Sequence, residues 1–421
     1  MSLSGFCLYL PLMKTRIIIL ITLILAALAL PAAAQSDSLR FSVRGVVRDA
    51  STGRTLEAVS VSIPGTSFAT VTNRDGLFVL KSDAEPGFVR FSLLGYNSLT
   101  LPAQDGTMKV RLEKGNLVLD AATIVDGDPR SIVMYAISLI ESNSPAGAEL
   151  FDCFYRETVQ KRQRFIYVSE AVTQTYKAAM SNIWGRDRAA VVKSRRLASP
   201  RQSDTLGVKV LGGPAMPVDL DVVKTRSLVL DSGEIDNYRF EMLPPDVLDG
   251  RSQFVIRFSP NAFGLDYALY HGTLYIDRQT FAFTRIESFL DVSDQEKATR
   301  AMLVHRPLGL RFKPKELSLL LVYKPEDDGK WRLNYLKTQF RFNCDWRKKL
   351  FATDYTAVSE MVATNRHAGT GAVPIQRADE FSSRVSLADK TEFYSDPEFW
   401  SAYNIIEPTV SLEQAISRLK K

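Results

Sequence analysis

The sequence predicts a mainly β protein: a small N-terminal β-sandwich followed by a larger antiparallel β-rich region with a few helices. Three observations predict it. Between residues 41 and 114, short β-branched runs are cut by turn signals at intervals that suit a sandwich. From residue 149 onward, apolar and polar residues alternate with period two in run after run. Helical periodicity is clearest in a stretch after residue 131 and another at the C-terminus.

The N-terminal residues read as an export signal. Lys14 and Arg16 precede the apolar run 17–30, and Pro31 and Ala32-Ala33-Ala34 follow it, which is the order charged region, apolar region, small-residue cleavage site. As a membrane span the run is too short, about 14 residues where a bilayer needs roughly 20. Residues 1–34 are therefore expected to be a signal peptide, with Met13 as the expected start of translation. No cysteine follows the cleavage site, which argues against a lipid anchor.

Charge and cysteine content narrow the function classes. The chain carries 53 Lys and Arg against 47 Asp and Glu, a formal charge of +6, and losing Lys14 and Arg16 with the leader brings it to +4. An exported, nearly neutral protein is not expected to bind nucleic acid. The basic runs 161–164, 193–196 and 347–349 are read as solvated strand ends or turns, ahead of contacts to anionic lipid or polysaccharide. Outside the leader only Cys153 and Cys344 remain, so the core must come from apolar burial. Those two are the candidate pair for one disulfide in an oxidising periplasm.

The first β-region is punctuated by Ser51-Thr52-Gly53, Pro64-Gly65, Asn73-Arg74-Asp75-Gly76, Glu85-Pro86-Gly87 and Asp105-Gly106, all residues suited to turns. Its motifs follow an order: Gly45-Val46-Val47-Arg48-Asp49, Thr52-Gly53, Leu56-Glu57-Ala58-Val59-Ser60-Val61, Pro64-Gly65-Thr66, Thr72-Asn73-Arg74-Asp75-Gly76-Leu77-Phe78 and Leu94-Gly95-Tyr96. This order resembles the carboxypeptidase-like regulatory domain. The resemblance implies a transthyretin-like sandwich over 41–114 with no catalytic residues, of the kind found ahead of TonB-dependent outer-membrane receptors. It implies a periplasmic location, or the periplasmic face of the outer membrane of a Gram-negative bacterium, with peripheral membrane contact as a candidate. Asn73 stands where the family usually has aspartate, a difference expected to matter little in a turn.

Residues 115–130, with Asp126-Gly127-Asp128-Pro129, read as a linker. A helix carrying Ile132, Tyr135, Ala136, Leu139 and Ile140 is expected next, stopped by Asn143-Ser144-Pro145. The domain 131–421 then alternates through Phe151, Cys153 and Tyr155, turns at 161–164, and returns over 165–176. Later runs around Phe254, Ile256 and Phe258, at 274–286 and at 317–342 repeat the behaviour, so an antiparallel meander is expected. Residues 270–277 with Ile286-Glu287 resemble a sheet hairpin of the periplasmic lipoprotein carriers, which wrap a curved sheet around helices. The expected fold is thus a transthyretin-like β-sandwich plus a larger antiparallel, curved β-sheet domain.

Residues 207–224, with Gly212-Gly213-Pro214, read as a loop ending in a short helix over 219–224. The C-terminal stretches 396–400, 403–408 and 411–416 resemble the ending of exported regulatory-domain proteins of uncharacterised function. Ser411 with Gln414 forms a capping box there. Leu412, Ala415, Ile416 and Leu419 give the helix one apolar face, with Phe399 and Trp400 as its packing partners.

Motifs for chemistry are scarce. Residues three beyond His271, His305 and His367 are Leu274, Leu308 and Thr370, so no H-x-x-E zinc motif exists. Gly65-Thr66-Ser67-Phe68-Ala69 lacks the second glycine of a nucleophile elbow. Gly369-Thr370-Gly371 lacks the third glycine of a dinucleotide fingerprint. Carboxylate pairs such as Asp152 with Glu157, or Glu170 with Asp266, could in principle serve glycoside hydrolysis, but with 47 acidic residues coincidence is the default reading. In the cluster Phe154-Tyr155-Arg156-Glu157, Arg156 and Glu157 are candidate ligand or partner contacts, with a cross-strand ion pair the favoured reading. An outer-membrane barrel conflicts with the helical C-terminus and the charges at Arg251, Arg257, Arg285 and Glu287.

No cofactor and no catalytic residue is expected. The expected function is that of a non-catalytic cell-envelope binding or scaffold protein, with the larger domain as the candidate holder of an apolar ligand or a protein segment. A hydrolase that relies on carboxylates without a motif and acts on an envelope or polysaccharide substrate is the alternative.

Overall fold

The computed structural model describes residues 41–115, 127–182, 184–201, 204, 212–262, 264–303, 308–346, 352–367, 372–383, 385–389 and 400–419. The expected signal peptide, most of the expected linker, His305, Phe399, the basic run 347–349 and Gly369-Thr370-Gly371 lie outside them. Leu39–Lys421 forms one compact unit, and its described residues form three sheets.

Two of the sheets make a sandwich. One runs β4 (Leu77–Ser82), β1 (Phe41–Asp49), β7 (Thr107–Leu112), and the other β3 (Ala69–Val71), β2 (Ser60–Ser62), β5 (Phe88–Ser92), β6 (Leu99–Pro102). Alternation sends Val43, Val47, Val61, Phe78, Leu80, Val89, Phe91 and Val110 into one core. The expected turn at 73–76 is present: Gly76 takes φ +72°, and a Cβ there would come within 2.4 Å of the Val47 carbonyl oxygen, so only glycine fits. On β2 the same alternation turns Ser60 and Ser62 away from that core.

The third sheet has ten strands in the order β10 (Arg188–Ala198), β9 (Arg164–Lys177), β8 (Glu149–Lys161), β17 (Thr353–His367), β16 (Trp331–Trp346), β15 (Leu310–Pro325), β14 (Phe283–Leu290), β13 (Tyr270–Asp277), β12 (Arg251–Pro260), β11 (Tyr238–Leu248). All its pairs are antiparallel, as the alternation predicts. It is a curved, open sheet with edges at β10 and β11, so these strands do not close into a barrel. Two meanders meet where β17 pairs with β8.

That order dictates the rest. Consecutive strands β10 and β11 lie at opposite edges, about 43 Å apart at nine interstrand spacings. The chain crosses one face of the sheet to connect them. The described part of the crossing carries α3 (Met216–Asp219) and α4 (Val222–Thr225) and buries Val222, Val229, Leu230 and Ile235. The single short helix expected at 219–224 is therefore two, divided at Leu220-Asp221, where Asp221 caps the second.

Beside the crossing lie α1 (Pro129–Ser138) and α2 (Ile140–Asn143). The Asp128 carboxylate accepts from the Ser131 amide at 2.9 Å and caps α1. Ile132, Val133, Ala136 and Ile140 pack on Phe151, Tyr155, Phe254, Phe283 and Leu321 of the sheet. On the same face α5 (Gln295–Met302) covers a second cluster around Phe312 and Phe342.

The opposite face holds the sandwich and the C-terminus. Val71 of the sandwich joins Phe154, Val172, Tyr335, Val362, Trp400 and Ile406 in one cluster. Helix α6 (Val410–Leu419) packs Leu412, Ile416 and Leu419 on Val168 and Leu197. The molecule is therefore layered: helices and crossover, ten-stranded sheet, then sandwich with C-terminal segment.

Candidate functional site

Strand alternation on β8 sends Arg156 and Glu157 to opposite faces, so they do not form one site. Arg156, on the sandwich face, is in register with Glu170 of β9, which is in register with Arg195 of β10. Arg156 donates to Glu170 Oε1 at 2.7 Å and to the Ile406 carbonyl at 2.6 Å. Arg195 donates to Glu170 Oε2 at 2.6 Å, and Trp400 Nε1 donates to the same oxygen at 3.2 Å. Burial pushes the Glu170 carboxyl up, but the two guanidiniums outweigh it and hold it below the usual glutamate range. The favoured cross-strand ion pair is thus present, with a second arginine added.

Glu157, fully buried on the helical face, accepts from the Tyr155 hydroxyl at 2.8 Å and the Gly213 amide at 3.0 Å. It ties the crossover to the sheet. Trp400 is buried as expected, though its ring meets Phe154 edge-on at 5.7 Å.

The candidate disulfide is corrected by the register. Cys153 sits opposite Ala363 and Cys344 opposite Thr353, both on β17. Ten residues of strand place them about 33 Å apart, and a disulfide needs Cα atoms within about 7 Å. They are not bridged to each other. Burial instead pushes the Cys153 thiol up to about 12, which leaves it inert.

The carboxylate pairs also fail to converge. Asp152 faces the sandwich side, where it pairs with His367 Nε2 at 2.9 Å, and Glu157 faces the helices. Glu170 is taken by its arginines, and Asp266 is exposed in the loop between β12 and β13. His271 stacks on Phe289 at 5.6 Å. Among the described residues, no group of three or more His, Cys, Asp or Glu is placed to hold a metal.

The helical face carries a cleft between α1–α2, the crossover and the sheet. Ala136, Ile140, Phe151, Met180, Phe283, Trp331 and Leu333 line its apolar side. One side is ionic. Tyr323 donates its hydroxyl to Asp221 Oδ1 at 2.8 Å, and Lys177 pairs with Asp221 Oδ2. Lys224 lies 3.9 Å from Asp187 and donates to the Ala178 carbonyl.

Burial and charge act against each other in this group. Burial alone would pull the Lys177 ammonium down, but Asp221 and Asp187 raise it. At Lys224 burial wins and the pKa falls, and burial likewise raises Asp187. The four charges balance, so the cleft offers an apolar wall with a neutral, internally paired end. Sequence reading passed over all of these residues. The only local signal was Asp221 three residues before Lys224, the spacing of a helix cap.

Comparison with known proteins agrees with part of this description. Residues 43–124 match the CarboxypepD_reg-like domain family. The sandwich is that domain. No curated protein matches the chain. Among solved structures, an outer-membrane lipoprotein-sorting protein domain from Vibrio parahaemolyticus is similar at 13% identity, with 59% of this chain and 96% of that one covered and a TM-score of 0.27. A DUF1329 family protein from Desulfovibrio piger is similar at 8% identity, with 56% and 94% covered and a TM-score of 0.24. A LolA superfamily protein from Nitrosomonas europaea is similar at 11% identity, with 56% and 94% covered and a TM-score of 0.19. Likeness at this level identifies neither a ligand nor an activity.

Proposed function

We propose that this chain is an exported, non-catalytic envelope binding protein whose cleft under α1–α2 holds the apolar part of a ligand. The reading rests chiefly on the lining of the cleft, where Ala136, Ile140, Phe151, Met180, Phe283, Trp331 and Leu333 form an apolar side next to a few polar groups, the character usual for small-molecule sites. Its walls are aromatic and aliphatic, and its charged groups are already paired. Such a wall favours an alkyl or aromatic moiety by burial, at about 25 cal/mol per Å² of apolar surface covered. Export through residues 1–34 would place the protein where envelope lipids and exported segments meet it.

The test is binding of an apolar fluorescent probe, with extraction and mass spectrometry of whatever copurifies. Val223 lines the cleft and is half-buried, so Val223→Trp fills it from the crossover side. Wild-type protein is expected to bind the probe, and the variant to lose at least tenfold in affinity with its far-UV spectrum unchanged. Equal binding by both would remove the cleft as the site.

A further inference from the structure

On the other face of the sheet, the sandwich is seated over β14–β16, and the seam is not closed. Two small cavities lie there, and Lys324 and Asn334 line both. Ser62 lines the first and Ser60 the second, the two residues that alternation on β2 turns away from the sandwich core.

The polar groups in this seam are incompletely satisfied. Lys324 Nζ donates to Ser62 Oγ at 2.8 Å and has no carboxylate within 4 Å among the described residues. Its neighbours are committed elsewhere: Asp249 to Arg90 at 3.2 Å, Glu326 to Arg366 at 2.6 Å, and Arg332 to Glu149 and Asp328. Asn334 is 7% exposed and its Nδ2 has no hydrogen-bond partner, and Ser60 Oγ, in a residue 9% exposed, has none either. Each such group forfeits the free energy of its lost hydration.

Their convergence has a backbone cause. Val322 pairs with Tyr335 and Tyr323 with Leu333, so Asn334 is the extra residue of a β-bulge. A bulge re-aims a side chain that a regular strand would have placed on the other face. It brings the amide onto the face of Lys324, opposite the β2 serines. Burial also draws the Lys324 ammonium below the usual lysine range, as expected for a cation without a partner.

We propose that this seam binds a small oxyanion, one carboxylate or phosphate group, held by Lys324 Nζ, the Asn334 amide and the Ser60 hydroxyl. Such a ligand would touch sandwich and sheet together. The site lies on the face opposite the apolar cleft and does not depend on the reading of that cleft.

The full chain is titrated with sodium acetate and, separately, inorganic phosphate, at constant ionic strength balanced with chloride, and thermal unfolding is followed. A ligand that binds only the folded state raises the midpoint in a saturable way. A rise of about 2 °C or more at saturation is expected with at least one of the two anions. The anion that acts separates a carboxylate from a phosphate source. Lys324→Met is expected to abolish the rise, and Ser60→Ala to weaken apparent affinity at least threefold. If neither anion acts on the wild type, water fills the seam and the proposal is overturned. A rise retained in Lys324→Met overturns it equally. Where Lys324→Met does not fold, Ser60→Ala decides: weakened affinity supports the site and unchanged affinity overturns it.

Discussion

Asn73 shows how much one atom can decide. Its Oδ1 accepts from the amides of Asp75 and Leu77 at 2.9 and 3.0 Å, which aspartate would do equally well. Its Nδ2, however, donates to the Glu407 carbonyl at 3.0 Å, and a carboxylate cannot. The difference from the usual aspartate, of little consequence within the turn, joins the sandwich to the C-terminal segment. Asn73→Asp is expected to lose about 1–2 kcal/mol of stability in urea unfolding.

Glu170 is the other residue whose role is now definite. Its carboxyl is held below the usual glutamate range in the folded state, so its contribution is complete above the unfolded value near 4.5 and is lost as pH falls through the lower folded value. Glu170→Gln leaves Arg156 and Arg195 without a buried counter-charge. It should cost about 3–5 kcal/mol at neutral pH and flatten this part of the acid limb, as read by urea midpoints from pH 7 downward.

At the scale of elements, α6 starts earlier than its sequence signature suggests. Thr409 Oγ1 accepts from the Leu412 amide at 3.2 Å, and Asp75 of the sandwich accepts from the Val410 amide at 2.8 Å. The helix is therefore capped at Thr409 and not at Ser411, because the path of the preceding segment along the sandwich sets where helical geometry begins. Thr409→Ala is expected to cost about 1 kcal/mol and Ser411→Ala under about 0.5, both by chemical denaturation. The apolar face of α6 was legible because a period of 3.6 depends only on local spacing. Residues 151–159 were legible for the same reason with period two. Which strand neighbours which was not, since β8 finds β17 across some two hundred residues of chain.

At the scale of the molecule, residues 400–410 act as a strap over the sandwich edge. Asn404 Oδ1 accepts from the Lys81 amide at 2.7 Å while its Nδ2 donates to the Lys81 carbonyl at 2.9 Å. Lys81 Nζ donates to the carbonyls of Trp400 and Ser401, and Thr70 Oγ1 to that of Ile405. Removing both Asn404 bonds in Asn404→Ala is expected to cost about 1–3 kcal/mol and to speed limited proteolysis in the strap. Because strap and shared core tie the layers together, sandwich and sheet are expected to unfold in one calorimetric transition.

The sequence by itself determined what depends on neighbours along the chain. The strands and their buried faces, the turn at Gly76, the terminal helix face and the regulatory-domain motifs are all local patterns of two to four residues or ordered runs of them. Only the tertiary structure decided what depends on pairing order. Because β10 and β11 lie at opposite edges, the crossover must span the sheet and roof a cleft. Because β17 joins β8, Cys153 and Cys344 stand apart. The cleft group Lys177, Asp187, Asp221 and Lys224 and the seam group Ser60, Lys324 and Asn334 have no spacing in common. They meet only because distant segments are packed against the two faces of one sheet, and no period in a single chain records that.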